Sequence, residues 1–142
     1  MSTVKIIAVD LGKARTGIAV SDDMGMLATP VGTITERDID RLILRVAEIA
    51  KQQKAEEIVV GHPRNMDGSG GESALFAERF AESIAEKTGL AVRLWDERMT
   101  TVSAIGILNT TNTRGKKRKA VVDTVAATII LQDYLDFLKN KA

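Results

Sequence analysis

The sequence predicts an α/β fold: one mixed five-stranded sheet, three antiparallel strands and then two parallel strands, with helices on both faces. Three observations carry this. Three short apolar runs with tight connections open the chain, at Lys5–Val9, Thr16–Ser21 and 26–36, as an antiparallel meander requires. Two further apolar runs, at 56–61 and 90–97, are separated by a stretch of helical periodicity. Strands joined through helices pair in parallel by right-handed crossovers. The closing stretch, Ala120 to Lys139, is amphipathic and gives the sheet a helix for its other face.

Each element has its own local reason. Lys5–Val9 is a buried strand, and a Gly/Lys/Arg turn carrying Lys13 and Arg15 leads into the second strand. The third strand, within "MLATPVGTITE", contains Pro30, which suits a sheet edge because proline cannot donate to a ladder. Residues 37–53 place Ile39, Leu42, Ile43, Val46, Ile49 and Ala50 at helical spacing. "EEIVVG" is a buried strand, and "HPRNMDGSGG" (62–71) is a loop by its proline and glycine content. A second helix over 72–89 is stopped by Gly89. In the fifth strand Trp95 alternates with Leu94 and faces the core. Residues 99–111 are expected to be helical, weakened by Gly106, and 112–119 a polar loop before the last helix.

Global properties exclude more than they select. A chain of 142 residues suits a single domain, 1–142, with one core and no room for a second lobe. Lys+Arg 20 against Asp+Glu 19 leaves a net charge of +1, so attraction to a polyanion would have to come from local clusters. The absence of cysteine excludes disulfides and thiolate metal sites and fits a reducing compartment. The apolar run at the N-terminus is too short for a signal peptide, and no stretch reaches the roughly 18 apolar residues of a membrane span. The expectation is a cytoplasmic protein with no membrane partner.

Acidic residues stand where such a sheet binds ligands, beyond the carboxyl ends of its parallel strands. Asp10 closes the first strand, and "WDE" puts Asp96 and Glu97 at the end of the fifth. Alone, Asp10 could be a turn residue before Gly12, and Glu97 a surface ion pair with Arg98. Asp123 shares a helical stripe with Ala127, Ile130 and Tyr134, and that stripe is otherwise apolar. Its alternative is the N-cap of the last helix. Like charges about 4 Å apart cost on the order of 4 kcal/mol per pair at an effective dielectric near 20, so a carboxylate cluster persists when a cation neutralises it. Hard oxygen donors without cysteine favour Mg²⁺ or Mn²⁺. Two such ions can activate water and stabilise the leaving oxygen of a phosphodiester.

Four blocks in order, "AVDLGKARTGIAVSD", "IVVGHPRNMDGS", "LWDERMTT" and "RKAVVDTVAATIILQDYL", resemble the YqgF/RuvX family of pre-16S rRNA nucleases, also described as Holliday junction resolvases. The resemblance spans essentially the whole chain. It implies a RuvC-like, ribonuclease H-like fold and metal-dependent phosphodiester hydrolysis that matures the 5′ end of 16S rRNA. It carries Asp10, Glu97 and Asp123 over as the catalytic and metal-binding acids, with precursor 16S rRNA or a ribosomal particle as partner.

Beside the acids stands "RGKKRK", with Arg114, Lys116, Lys117, Arg118 and Lys119 just ahead of Asp123. Together with Lys13, Arg15 and Arg98 these are the expected phosphate contacts, since such contacts supply sequence-independent affinity. The alternative is a solvated charged loop. The absence of aromatics nearby argues against base stacking as the main mode of binding. Asp67 is a candidate fourth ligand or an ordinary Asp-Gly turn. His62, the only histidine, is a candidate proton shuttle or an ordinary loop residue. The 62–71 loop could offer backbone N–H groups to a phosphate.

Two rivals remain in view at this level, and a third is excluded. Three carboxylates and a basic run serve DNA junctions as well as RNA. A ribosome- or polymerase-associated binding protein with a vestigial site is the non-enzymatic alternative. "VDLGKARTGIAV" also resembles the first phosphate motif of sugar kinases and actin-like ATPases, but those close two lobes on ATP.

Overall fold

The computed structural model describes residues 4–12, 14–63, 71–97 and 115–141, with 115–124 and 141 described as backbone. The chain order is β1 (Ile6–Asp10), β2 (Arg15–Ser21), β3 (Ala28–Thr35), α1 (Ile39–Gln52), β4 (Glu57–His62), α2 (Glu72–Thr88), β5 (Ala91–Asp96) and α3 (Gly115–Lys141). The five strands form one sheet in the order β3-β2-β1-β4-β5. β1–β2 and β2–β3 pair antiparallel, and β1–β4 and β4–β5 pair parallel. This is the mixed sheet expected from the sequence.

Strand alternation assigns the two faces. Ile7, Val9, Ile58 and Val60 point to one side, where they pack with Leu42 and Val46 of α1 and Phe80 and Ile84 of α2. Ile6, Ala8, Val59 and Trp95 point to the other, where Ala127, Ile130, Leu131 and Tyr134 of α3 cover them. Ile7, Ala8 and Val9 are wholly buried, because β1 is central and both of its faces are covered. Helices therefore lie on both faces, and Trp95 is core while Leu94 is exposed.

Several local expectations hold for the reasons given. Pro30 lies on the edge strand β3, where the register skips Val31 between the pairs Ile18–Gly32 and Ala19–Pro30, a bulge that ends regular pairing near the proline. Gly89 ends α2 with φ +73°, and its N–H caps the Ala85 carbonyl, the left-handed termination glycine makes cheaply.

Two boundaries differ. Residues 115–119, expected in a polar loop, form the first turns of α3; lysine and arginine are good helix formers, and polarity alone does not mark a loop. Asp123 is consequently well inside the helix, which excludes the N-cap alternative. His62, expected as the first loop residue, is the last residue of β4 and pairs with Asp96. The residue before a proline favours extended backbone, and Pro63 follows. The expected helix at 99–111 lies outside the described residues.

Candidate active site

The carboxyl ends of β1, β4 and β5 lie side by side, and alternation decides which side chains meet there. Asp10 continues the Ile6–Ala8 face, Gly61 the Val59 face and Glu97 the Trp95 face, all on the side covered by α3. β4 runs between β1 and β5, so Asp10 and Glu97 are separated by a whole strand, roughly 9–10 Å at the usual spacing. The residue between them is Gly61. A Cβ built there would lie 3.1 Å from Ile130 Cδ1, 3.3 Å from Glu97 Cδ and 3.4 Å from Glu97 Cγ. The Glu97 side chain thus lies over the bare backbone of Gly61, and it hydrogen-bonds Asp10.

That contact has an electrostatic consequence. Burial pushes the Glu97 carboxyl above its ordinary value, while the hydrogen bond from Asp10 and the neighbouring His62 pull it down and Asp96 pushes it up again. A hydrogen bond between two carboxyl groups requires one of them to carry the proton. When both carboxyls of such a close, partly buried pair are ionised they repel, and a cation placed between them would relieve that repulsion.

Helix α3 is aimed at the same edge. Tyr134 donates to Glu57 Oε2 at the start of β4, at 2.5 Å, whereas Ile130 abuts Gly61 near its end. The helix therefore runs opposite to β4, and residues before Ile130 lead past the carboxyl edge. Position 123 lies seven residues earlier, about 10 Å along the axis, and continues the buried stripe of Ala127, Ile130 and Tyr134.

His62 points the other way. Its Nε2 is 2.8 Å from Glu78 Oε2 on α2, on the face away from Asp10 and Glu97. Asp10 and Glu97 are the predicted acids whose side chains are seen together. Among the described residues no group of three or more His, Asp and Glu side chains is spaced to hold a metal, Asp123 being described as backbone. Arg15 opens β2, and Lys116, Lys117, Arg118 and Lys119 occupy the first turns of α3. Lys13, Asp67, Arg98, Arg114 and most of the 62–71 loop lie outside the described residues. Gly12 turns tightly after Asp10: a Cβ there would collide with the Arg15 carbonyl oxygen, so only glycine fits.

Sequence reading missed Gly61. Its signal was a glycine closing an otherwise β-branched strand, which often marks a close approach. What approaches it depends on the strand order and could not be read from the chain.

Among solved structures, the fold is similar to Thermus thermophilus RuvC in complex with a Holliday junction substrate, with TM-score 0.62 and 12% identity over 95% of this chain and 96% of that one. A second Thermus thermophilus RuvC structure gives 0.59 and 14%, over 94% and 96%. At such identity the likeness is one of fold, and it places the domain in the RuvC-like, ribonuclease H-like class. A family model, RuvX, described as Holliday junction resolvase, matches residues 4–137. A protein of Lachnospira eligens named "Putative pre-16S rRNA nuclease" is 41% identical over 136 residues, 94% of this chain and 97% of that protein. One of the same name in Bacillus cytotoxicus is 43% identical over 136 residues, 94% and 98%. The chain belongs to the RuvX family, a family of nucleases.

Proposed function

We propose that this chain is a metal-dependent endonuclease that hydrolyses phosphodiester bonds in structured nucleic acid, with precursor 16S rRNA as its substrate. The observation that carries the reading is the meeting of Asp10 and Glu97 across Gly61 at the carboxyl edge of the sheet. The donor set supports a hard cation: carboxylate oxygens, no cysteine, and the one histidine turned to Glu78. Asp10, Glu97 and Asp123 would hold two Mg²⁺ or Mn²⁺ ions, which when bound supply an activated water and stabilise the leaving oxygen. Asp10 and Glu97 project from strand ends in a packed core, so their geometry is fixed before substrate arrives.

The basic residues supply attraction to the backbone. Lys116, Lys117, Arg118 and Lys119 open α3, whose first turn has no acidic residue. Cations at a helix N-terminus oppose the macrodipole, so this placement costs stability in isolation and suits a bound polyanion. Lys13, Arg15, Arg98 and Arg114 would add to this attraction.

RNA is favoured because the relatives at about 40% identity are named for pre-16S rRNA. The second reading, cleavage of four-way DNA junctions, is favoured by the description of the family model. The test is incubation of the protein with precursor 16S rRNA fragments and with a four-way junction, each with EDTA, Mg²⁺ or Mn²⁺. Divalent-dependent cleavage of the precursor is expected. Cleavage of the junction alone would transfer the reading to DNA, and cleavage of neither would leave a binding protein.

A further inference from the structure

A recess opens on the other side of the carboxyl edge. Leu11, Gly12, Pro63 and Phe76 form its apolar walls, and Arg37 and Ser73 stand at its rim with Glu72. Its volume is about 290 Å³, at the small end of ligand pockets. Leu11 and Gly12 directly follow Asp10, so at no more than about 3.6 Å per residue the recess begins within about 7 Å of the acidic site.

Three features suit it to one unstacked nucleotide. Phe76 is only half-buried and offers a ring in an otherwise aliphatic wall. Arg37 is exposed and makes no ion pair or hydrogen bond with any described residue, whereas Arg41 and Arg45 of the same segment pair with Asp38 and Glu36. The rim supplies a carboxylate and a hydroxyl, an acceptor and a donor–acceptor matched to a base edge. Bases stack on aromatic rings without regard to sequence, and an arginine fork matches a phosphate.

We propose that this recess is a subsite for an unpaired nucleotide adjoining the scissile phosphate, its base against Phe76, Leu11 and Pro63 and its phosphate on Arg37. The strand would then cross the carboxyl edge, with the bond to be broken on the α3 side and the next nucleotide held on the α1–α2 side. The enzyme would select junctions between paired and unpaired nucleic acid, because a base within a duplex cannot enter. This subsite rests on the nuclease reading for its purpose, but its binding can be tested separately.

The probe is an RNA hairpin with a single-stranded 5′ tail, and a series in which each tail nucleotide in turn is abasic. Binding to wild type, Phe76→Leu and Arg37→Gln is measured by fluorescence anisotropy, and cleavage with Mg²⁺ is followed in parallel. Phe76→Leu keeps an apolar side chain and guards against loss of folding. At one tail position the abasic sugar should weaken wild-type binding about tenfold to a hundredfold. Phe76→Leu should weaken binding of intact RNA, and the abasic site should then cost little more. Equal binding of intact and abasic RNA at every position, or additive losses in Phe76→Leu, would overturn the subsite. Base-dependent binding without any cleavage would keep the subsite and refute the nuclease reading instead.

Discussion

Gly61→Ala tests whether a missing side chain is what lets Glu97 reach Asp10. The backbone of Gly61 is outside the left-handed region, so alanine is sterically allowed by its own φ and ψ. Replacing glycine at such a position gains roughly 0.4–1 kcal/mol by restricting the unfolded chain. Against this, the new Cβ would stand 3.1 Å from Ile130 Cδ1 and 3.3 Å from Glu97 Cδ, closer than ordinary contact by a few tenths of an ångström. Overpacking of a core costs about 1–3 kcal/mol, and here the crowded atoms are side-chain ends that can yield. The two effects oppose each other, leaving a net destabilisation of no more than about 2–3 kcal/mol. The yielding atom that matters is the Glu97 carboxyl, which must leave its contact with Asp10. Misplacement by about 1 Å can cost on the order of a hundredfold in rate, so a loss of at least about tenfold in kcat/KM is expected. Urea unfolding and cleavage of a precursor rRNA fragment, measured on one preparation, separate the effects. Wild-type cleavage by a folded Gly61→Ala protein would refute the argument that the bare backbone at 61 positions Glu97.

Asp10→Asn should abolish metal-dependent cleavage while leaving nucleic-acid affinity within a few fold, as gel-shift and cleavage assays on the same RNA would show; near wild-type turnover would remove Asp10 from the site. Replacing Lys116, Lys117, Arg118 and Lys119 with alanine should weaken binding to all sequences alike and flatten the log affinity–log salt slope by up to about 0.9 per lost duplex phosphate contact. An unchanged slope would make them solvated surface. Glu97 gives a pH dependence with a defined sign. Its carboxyl is held above the ordinary value of 4.5 by burial, so its contribution is full below the unfolded value and is lost as pH rises through the folded one. With EDTA present, urea midpoints of the wild type should fall across that window relative to Glu97→Gln, and a relative rise would contradict the burial argument.

Much of this was legible because β-strands alternate and parallel strands need crossovers. The apolar run ending at Asp10 and the "LWDE" run gave the sheet, its carboxyl edge and two of its acids from local pattern alone. Its spacing puts position 123 on the stripe of Ala127, Ile130 and Tyr134, and the helix that carries that stripe runs through it. The start of its helix is not legible, because Lys116, Lys117, Arg118 and Lys119 carry charge as a polar loop does and are also good helix formers. Gly61 and the recess beside Phe76 were illegible for a different reason. Each acquires its meaning from a neighbour far away in sequence: Glu97 and Ile130 for Gly61, Arg37 and Leu11 for Phe76. No local period encodes such contacts.

The claim that three carboxylates at the sheet edge hold divalent ions is tested most directly by metal-linked stability. Urea unfolding of wild type and Asp123→Ala, each with EDTA and with millimolar Mg²⁺, gives four free energies. Without metal, a residue of a repelling acidic cluster can be removed at little cost, so the variant should match or exceed the wild type. With Mg²⁺ the wild type should gain RT ln(1 + [L]/Kd), about 2.7 kcal/mol at a hundredfold excess over Kd, and the variant much less. An equal loss of stability in Asp123→Ala under both conditions, with no gain from Mg²⁺ in either protein, would contradict the three-acid metal site and the two-ion chemistry built on it.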